Sequence, residues 1–226
     1  MIEGFIFDLD GVIVDTAKYH FLAWKRLANE LGIPFTREDN ERLKGVSRMR
    51  SLDIILKLGG HQISENEKEV LAKRKNIWYV DAISKITPAE ILPGALPFIE
   101  QARERGIKIA LGSASKNAIT ILDRLAIDTL FDVIISGNEV TQAKPDPEVF
   151  LKGAEALGLP PKTCVVFEDA LAGIEAAHNG GMKCIGIGNK EILGNADFVV
   201  EGLNAISVDE VLALDYNKIN TNKNLD

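Results

Sequence analysis

Phe5-Ile6-Phe7-Asp8-Leu9-Asp10-Gly11-Val12 is the stretch whose reading decides the fold. Residues 4–9 are short, apolar and rich in strand formers, and Asp10-Gly11 ends them with a turn signal, so they predict a buried strand. In an extended backbone residues two apart face the same side, so Asp8 and Asp10 can converge where the strand ends. Two carboxylates placed there repel, and each raises the cost of ionising the other. A hard cation relieves this by taking oxygen ligands. Alone, Asp-X-Asp-Gly reads equally well as two solvated acids at a turn; the burial implied by Phe5, Phe7 and Leu9 favours a site.

Further strands are predicted at Ile107–Leu111, Val133–Ser136, Cys164–Phe167, Cys184–Ile187 and Phe198–Val200. Helical patterns lie between them: Leu96, Ile99 and Ala102; Ile119, Leu122 and Ala126; Phe150, Ala154 and Leu157. Apolar strands alternating with amphipathic helices predict an α/β fold, a parallel sheet covered on both faces. Ligands of such sheets bind at the carboxyl ends of the strands, near the switch point. From about Thr16 to Pro88 the rhythm breaks into successive helices. Phe21, Trp24, Leu27/Ala28 and Leu31 form one apolar stripe, ended by Gly32 with Pro34 beyond. Leu52, Ile55, Leu56 and Leu58 belong to a second helix, and Ser64 with Glu67 is a capping-box pattern opening a third. An all-helical insertion is therefore expected, with hinges near Val14–Ala17 and Thr87–Gly94. The expected division is a core of residues 1–15 and 93–216, a helical cap of 16–92, and a frayed Asn/Lys-rich tail of 217–226.

The chain has 226 residues, 46% of them hydrophobic, and a net charge of −7. That is enough apolar content and length for a self-sufficient core. The acidic balance argues against nucleic acid or an anionic membrane as partner. No signal peptide is visible at Met1, and no apolar run approaches a membrane span, so the expected location is the cytoplasm. Cys164 and Cys184 are expected as buried thiols in a reducing compartment. His20, His61 and His178 are scattered without metal-ligand spacing, which argues against zinc.

Three more polar clusters follow predicted strands. Ser113-Ala114-Ser115-Lys116-Asn117 offers hydroxyls and backbone N–H groups at a helix start, which suits an anion as well as a plain serine cap. Lys144-Pro145-Asp146-Pro147 fixes a lysine ahead of a helix, where it delivers a point charge or lies on the surface. Glu168-Asp169 ends another buried strand; adjacent acids suit a helix start, and together with Asp8 and Asp10 they suit one divalent ion.

The order carboxylates, hydroxyl, lysine, acids, each following a strand, resembles the haloacid dehalogenase (HAD) superfamily of phosphotransferases. The resemblance spans Asp8 to Asp169 and implies a Rossmann-like core with a cap. It implies Asp8 as the nucleophile that forms an aspartyl-phosphate, and Asp10 as general acid and then base. Ser113 and Lys144 would hold the transferring phosphoryl oxygens. Mg²⁺ would be held by Asp8, the backbone carbonyl of Asp10, Glu168 and Asp169. Within the cap, residues 15–25, Leu43-Lys44-Gly45-Val46-Ser47-Arg48 and 72–76 resemble the sugar-phosphate mutases of this superfamily. That implies a small phosphosugar substrate, glucose 1,6-bisphosphate as intermediate, and a monomer. Arg48, with Ala114, Ser115, Lys116 and Asn117, would grip the distal phosphate, the arginine bidentately. His20, Trp24, Lys44 and Gly45 would line the sugar pocket, and Thr16 would sit at the hinge. Closure of the cap would keep water from the phospho-aspartate.

The residues keep blander readings as well. Trp24 lies on an apolar stripe, His20 adjoins it, and Arg48 fits a surface helix start. Lys73-Arg74-Lys75 reads as a ligand-facing patch or, more commonly for a charge run, as a solvated helix face; Lys75 and Asn76, which the resemblance places near the cap pocket, receive no catalytic role. Ala170 stands where the resembling mutases carry serine, at a cost of one hydrogen bond, about 1 kcal/mol. Two other functions compete: a sugar-phosphate or phosphoglycolate phosphatase on the same scaffold, and a non-catalytic receiver-like module. The second is about half this length and has no inserted cap.

Overall fold

The structure is a computed structural model describing residues 1–214, so the expected tail of 217–226 lies outside the described residues. Six parallel strands form one sheet in the order β3-β2-β1-β4-β5-β6. They are β1 (Gly4–Phe7), β2 (Lys108–Gly112), β3 (Val133–Ile135), β4 (Cys164–Glu168), β5 (Lys183–Ile187) and β6 (Phe198–Val200). Each predicted strand is present within two residues of its expected ends. The order reverses at β1, whose neighbours are β2 on one side and β4 on the other. This is the topological switch point of the sheet.

Alternation along the strands sends side chains to two separate cores. Phe5, Phe7, Ile109, Leu111, Val165, Phe167 and Ile185 pack on one face, and Ile6, Ala110, Cys164, Val166 and Cys184 on the other. On the first face Phe7 stacks on Phe167 at 4.6 Å, and Phe5 meets Phe167 edge-on at 5.1 Å. Full burial of each such side chain contributes about 1.5–3 kcal/mol, which anchors the strands whose ends carry the acids. Helices α5 (Ala95–Glu104), α6 (Ala118–Leu125) and α10 (Val208–Ala213) cover this face. Helices α7 (Glu148–Leu157), α8 (Leu171–Asn179) and α9 (Lys190–Leu193) cover the other. Both cysteines are buried free thiols.

Between β1 and α5 come four helices: α1 (Ala17–Glu30), α2 (Arg37–Glu41), α3 (Arg48–Leu58) and α4 (Glu65–Ile83). The Ser64–Glu67 capping box forms as the spacing predicts. Trp24, Leu27, Phe35, Leu52, Ile55 and Leu56 give these helices a third hydrophobic cluster of their own. Chain enters and leaves this layer side by side: Val14 bridges Ile91, Asp15 N–H donates to Glu90 O, and Leu92 N–H donates to Ile13 O. The Glu90 carboxylate also accepts from Lys18 and from the Tyr19 hydroxyl. Among the described residues no helix is long and apolar enough to cross a membrane.

Three local expectations are corrected. Strand β1 stops at Phe7, two residues early, because Leu9 O turns inward and accepts from Val12, Ile13 and Val14. The stripe of α6 is Ala118, Ile121, Leu122 and Leu125; Ile119 faces solvent, one position out of phase. The short helix α2, absent from the sequence reading, rests on a Thr36–Asp39 capping box in a segment with too few apolar residues to show a period.

Candidate active site

Polar groups gather at the carboxyl ends of β2, β1 and β4: Ser113 just past β2, Asp8 just past β1, and Glu168 closing β4. Asp8 keeps the register of the strand, its N–H donating to Phe167 O at 2.9 Å. Lys144, from the loop after β3, reaches between two of these acids. Its ammonium donates to Asp8 Oδ1 at 2.6 Å and to Glu168 Oε1 at 2.7 Å, buried from solvent. Burial works to strip its proton, but Asp8 and Glu168 outweigh that and hold its pKa well above the ordinary lysine value.

Glu168 lies at the floor, its Oε2 accepting from Ala170 N–H at 2.8 Å. Burial raises its pKa, against the pull of Lys144. Asp169 is raised further, by burial and by Glu168, while Lys44 opposes from 3.5 Å. Two glycines make room. A Cβ at Gly173 would collide with Glu168 Oε1, and one at Gly11 (φ +84°) with Asp169 Oδ2. Asp8, Glu168 and Asp169 bring oxygens within 4.8 Å of one another. Three crowded carboxylates with no histidine or cysteine among them form a donor set that suits a hard divalent cation.

Asp10 belongs to a second arrangement. It leaves the strand in the turn closed by Gly11 N–H to Val14 O, so its carboxyl is aimed by a loop and not by the pleat of a strand. The Thr16 hydroxyl, fully buried, donates to Asp10 Oδ1. Burial and then the Asp8 charge raise Asp10 to about 6, with the Thr16 bond opposing. Ser113 is fully buried, and its Oγ accepts from Ser115 N–H at 3.1 Å. Ser115 Oγ accepts from Asn117 N–H, and α6 starts only at Ala118.

The helical layer closes over these groups and leaves a cavity of about 400 Å³. Asp8, Asp10, Lys144 and Asp169 line one part of it; His20, Trp24, Lys44, Gly45, Arg48 and the run Ala114–Asn117 line the rest. Thr16, Ser113 and Glu168 stand behind the wall, fully buried. Lys44 spans from Glu41 (3.0 Å) to Asp169 (3.5 Å) and so ties the α2–α3 loop to the acids. Arg48, the first residue of α3, has its pKa lowered by burial.

One residue read as a solvated helix face is nothing of the kind. Lys75 is 1% exposed. Its ammonium lies 2.8 Å from His20 Nδ1 and over the rings of Trp24 and Tyr79, each at 4.6 Å, and among the described residues it pairs with no carboxylate. Burial pulls its pKa down to about 7, Arg48 adding and Asp10 opposing. Burial, then Lys75 and Arg48, also keep His20 well below its ordinary value. The neighbouring Asn76 accepts from Asn117 Nδ2 at 3.2 Å, joining α4 to the start of α6. The signal that could have found Lys75 is its phase: it shares a helical face with Ala72 and Tyr79, both buried.

The model of the haloacid dehalogenase-like hydrolases matches residues 2–181. The chain belongs to this family. Among its HAD relatives, a beta-phosphoglucomutase from Bacillus subtilis is 47% identical over 88% of each chain. A phosphorylated carbohydrates phosphatase from Thermotoga maritima is 33% identical over 81% of this chain and 83% of its own. The crystal structure of a beta-phosphoglucomutase from Clostridium difficile superposes with a TM-score of 0.91 at 44% identity, covering 98% of this chain and 100% of that one. The fold shared with this HAD enzyme therefore includes the helical layer as well as the sheet.

The buried Lys75 has a consequence for stability. Its pKa is lowered on folding, so the unfolded chain binds its proton more tightly between about pH 7 and 10.5. The penalty for burying the ammonium is thus full below pH 7 and fades as the pH rises to 10.5. Lys75→Met is expected to raise Tm most at pH 6, with the gain shrinking towards pH 10.5. Thermal melts across that range check this; a Tm lowered at pH 6 would contradict it.

Proposed function

We propose that the chain interconverts beta-glucose 1-phosphate and glucose 6-phosphate, the reaction of a beta-phosphoglucomutase, through a phospho-aspartate at Asp8 and glucose 1,6-bisphosphate. The observation that carries this is one cavity with phosphate-holding chemistry in two places. Asp8 and Lys144, with Ser113 buried behind the wall, serve the phosphoryl group in transfer, and Arg48, Lys116 and Asn117 serve a second phosphate on the same sugar. A simple phosphatase needs only the first. The kinship at 47% identity points the same way.

Asp8, phosphorylated, gives its phosphoryl group to the 6-hydroxyl of beta-glucose 1-phosphate while Asp10 takes the hydroxyl proton. The bisphosphate is then bound in the opposite orientation, exchanging the phosphates held at the two places. Asp8 then attacks the phosphorus on the 1-oxygen, that P–O bond breaks, and Asp10 returns its proton to the departing oxygen. The product is glucose 6-phosphate, and phospho-Asp8 is regenerated. A carboxyl near 6 suits both giving and taking a proton close to neutral pH. Lys144 holds one Asp8 oxygen and so directs the other at phosphorus. Ser113, whose Oγ faces the N–H of Ser115, keeps the loop of hydroxyls turned towards the phosphoryl oxygens.

Asp8, Glu168 and Asp169, with the carbonyl of Asp10, fit Mg²⁺, which when bound supplies positive charge that lets one anion approach another. The helical layer is read as a cap over the core, residues 16–92 on 1–15 and 93–216, whose closure excludes water. Arg48, Lys75 and Lys116 bring positive charge to the cavity of an acidic protein. His20, neutral beside Lys75, keeps that ammonium turned towards the cavity and Asp10. Trp24 presents a flat apolar edge to a sugar face.

Three measurements test this. With Mg²⁺, beta-glucose 1-phosphate and a trace of glucose 1,6-bisphosphate, glucose 6-phosphate should accumulate; stoichiometric free phosphate in its place would mark a phosphatase. Asp8→Asn should abolish labelling of the chain by a phosphoryl donor, and retained labelling would show another nucleophile. Arg48→Ala should lower kcat/KM for the phosphosugar about a hundredfold, the loss of a charge-assisted bidentate contact, and spare acetyl phosphate hydrolysis, since that donor has no distal phosphate. Equal losses on both would count against a distal site.

A further inference from the structure

The loop from β3 to α7, residues 136–147, meets the site at both ends. Its far end delivers Lys144 to Asp8 and Glu168. Its near end is a tight turn. Ser136, fully buried, donates its N–H and its hydroxyl to Glu139 Oε2, and Asn138 N–H donates to Ser136 Oγ at 3.2 Å. The turn presses directly on the run Ala114–Asn117. A Cβ at Gly137 would lie 2.3 Å from Ala114 O, so any side chain there would displace that carbonyl. Gly137 N–H donates to Ser115 O at 3.1 Å, and Asn138 Nδ2 donates to Lys116 O at 3.0 Å. Asn138 is exposed and does not line the cavity, so contact with a sugar does not account for it.

These two bonds fix two successive peptide planes. In a trans peptide the carbonyl and the following N–H point opposite ways. With Ser115 O drawn to Gly137, Lys116 N–H faces away from that glycine. With Lys116 O drawn to Asn138, Asn117 N–H turns back to Ser115 Oγ at 3.2 Å. Ser115 N–H is taken as well, by Ser113 Oγ. The N–H groups of Ala114 and Lys116 have no partner among the described residues, and both residues line the cavity. Backbone N–H groups left free in this way suit an anion.

We propose that Asn138 is a positioning residue for the second phosphate of the sugar. With Gly137 it braces the carbonyls of Ser115 and Lys116 from behind, so that the Lys116 N–H stays free for that phosphate. The loop that supplies this brace also carries Lys144, so one segment sets the spacing between the two phosphate places. The proposal rests on the reading of Arg48, Lys116 and Asn117 as the distal place.

Asn138→Ala removes the side-chain amide and leaves Gly137 and the buried turn intact. For beta-glucose 1-phosphate, kcat/KM should fall about fivefold, one ordinary hydrogen bond, with the loss in KM and kcat within about twofold. Hydrolysis of acetyl phosphate, which has no second phosphate, should be unchanged, and Tm should hold because the bond is exposed. Asn138→Asp keeps the shape but sets a carboxylate against Lys116 O, so its loss should be at least as large. Equal losses on both substrates, an unchanged KM for the sugar, or a native KM in Asn138→Asp would each overturn the proposal. If the unchanged chain releases free phosphate and forms no glucose 6-phosphate, the mutase reaction is what fails. Glucose 1,6-bisphosphate set against acetyl phosphate as donors then decides the role of Asn138, since the bisphosphate still offers a second phosphate.

Discussion

The bond of Lys144 to Asp8 and Glu168 is the constraint on which the rest of the site depends. Three acids meet where two buried strands end, and burial makes Glu168 and Asp169 resist ionisation. Lys144, with no exposed side-chain surface, stands between Asp8 and Glu168 and pairs with both. Removing either side of such a buried pair typically costs about 3–5 kcal/mol, since the remaining charge is stranded. The aromatic packing of Phe5, Phe7 and Phe167 fixes the strand ends so that this pairing recurs with the same geometry. Stability and reactivity are thus joined at the switch point of the sheet.

The helical layer solves a different problem. An active site for phosphoryl transfer between two sugar hydroxyls must admit a large anion and then exclude water. The layer has its own apolar cluster and also shares the sheet's core, where Ala23, Tyr79, Ile83 and Ile86 pack with Phe7 and Phe98; polar contacts complete the junction: Lys44 to Asp169, Asn76 to Asn117. Contacts of this kind form and break at little cost because solvent competes for them. The chain crossings at Val14 and Ile91 are paired backbone to backbone and keep the two parts in register.

Much of this was legible in the residues. Strands with apolar runs of four or five residues announce themselves, and the polar residue following each one marks the site because ligands gather there. The burial of Lys75 was not legible, because three successive cations on a helix favour a solvated face over a ligand-facing one unless the phase of the buried neighbours is known. The turn at Asp10-Gly11 was legible but its early start was not: Leu9 is as apolar as the strand before it, and only Leu9 O, shared by three N–H groups, shows that the chain has already bent. Ile119 misled the phase of α6 because its helix has more apolar residues than its buried face can take.

Ala170 follows the two acids where a serine would be expected, and the loop at Gly45 rests directly on it. A Cβ built on Gly45 would lie 3.1 Å from the Ala170 methyl and 3.7 Å from that of Ala172. The missing hydroxyl is therefore less telling than the size of what remains. Ala170 acts as a shim: one methyl group sets how deeply the α2–α3 loop can settle onto the acidic floor. The thickness of the space above Asp169, and with it the room left for a sugar ring, is gauged by a side chain that takes no part in the chemistry.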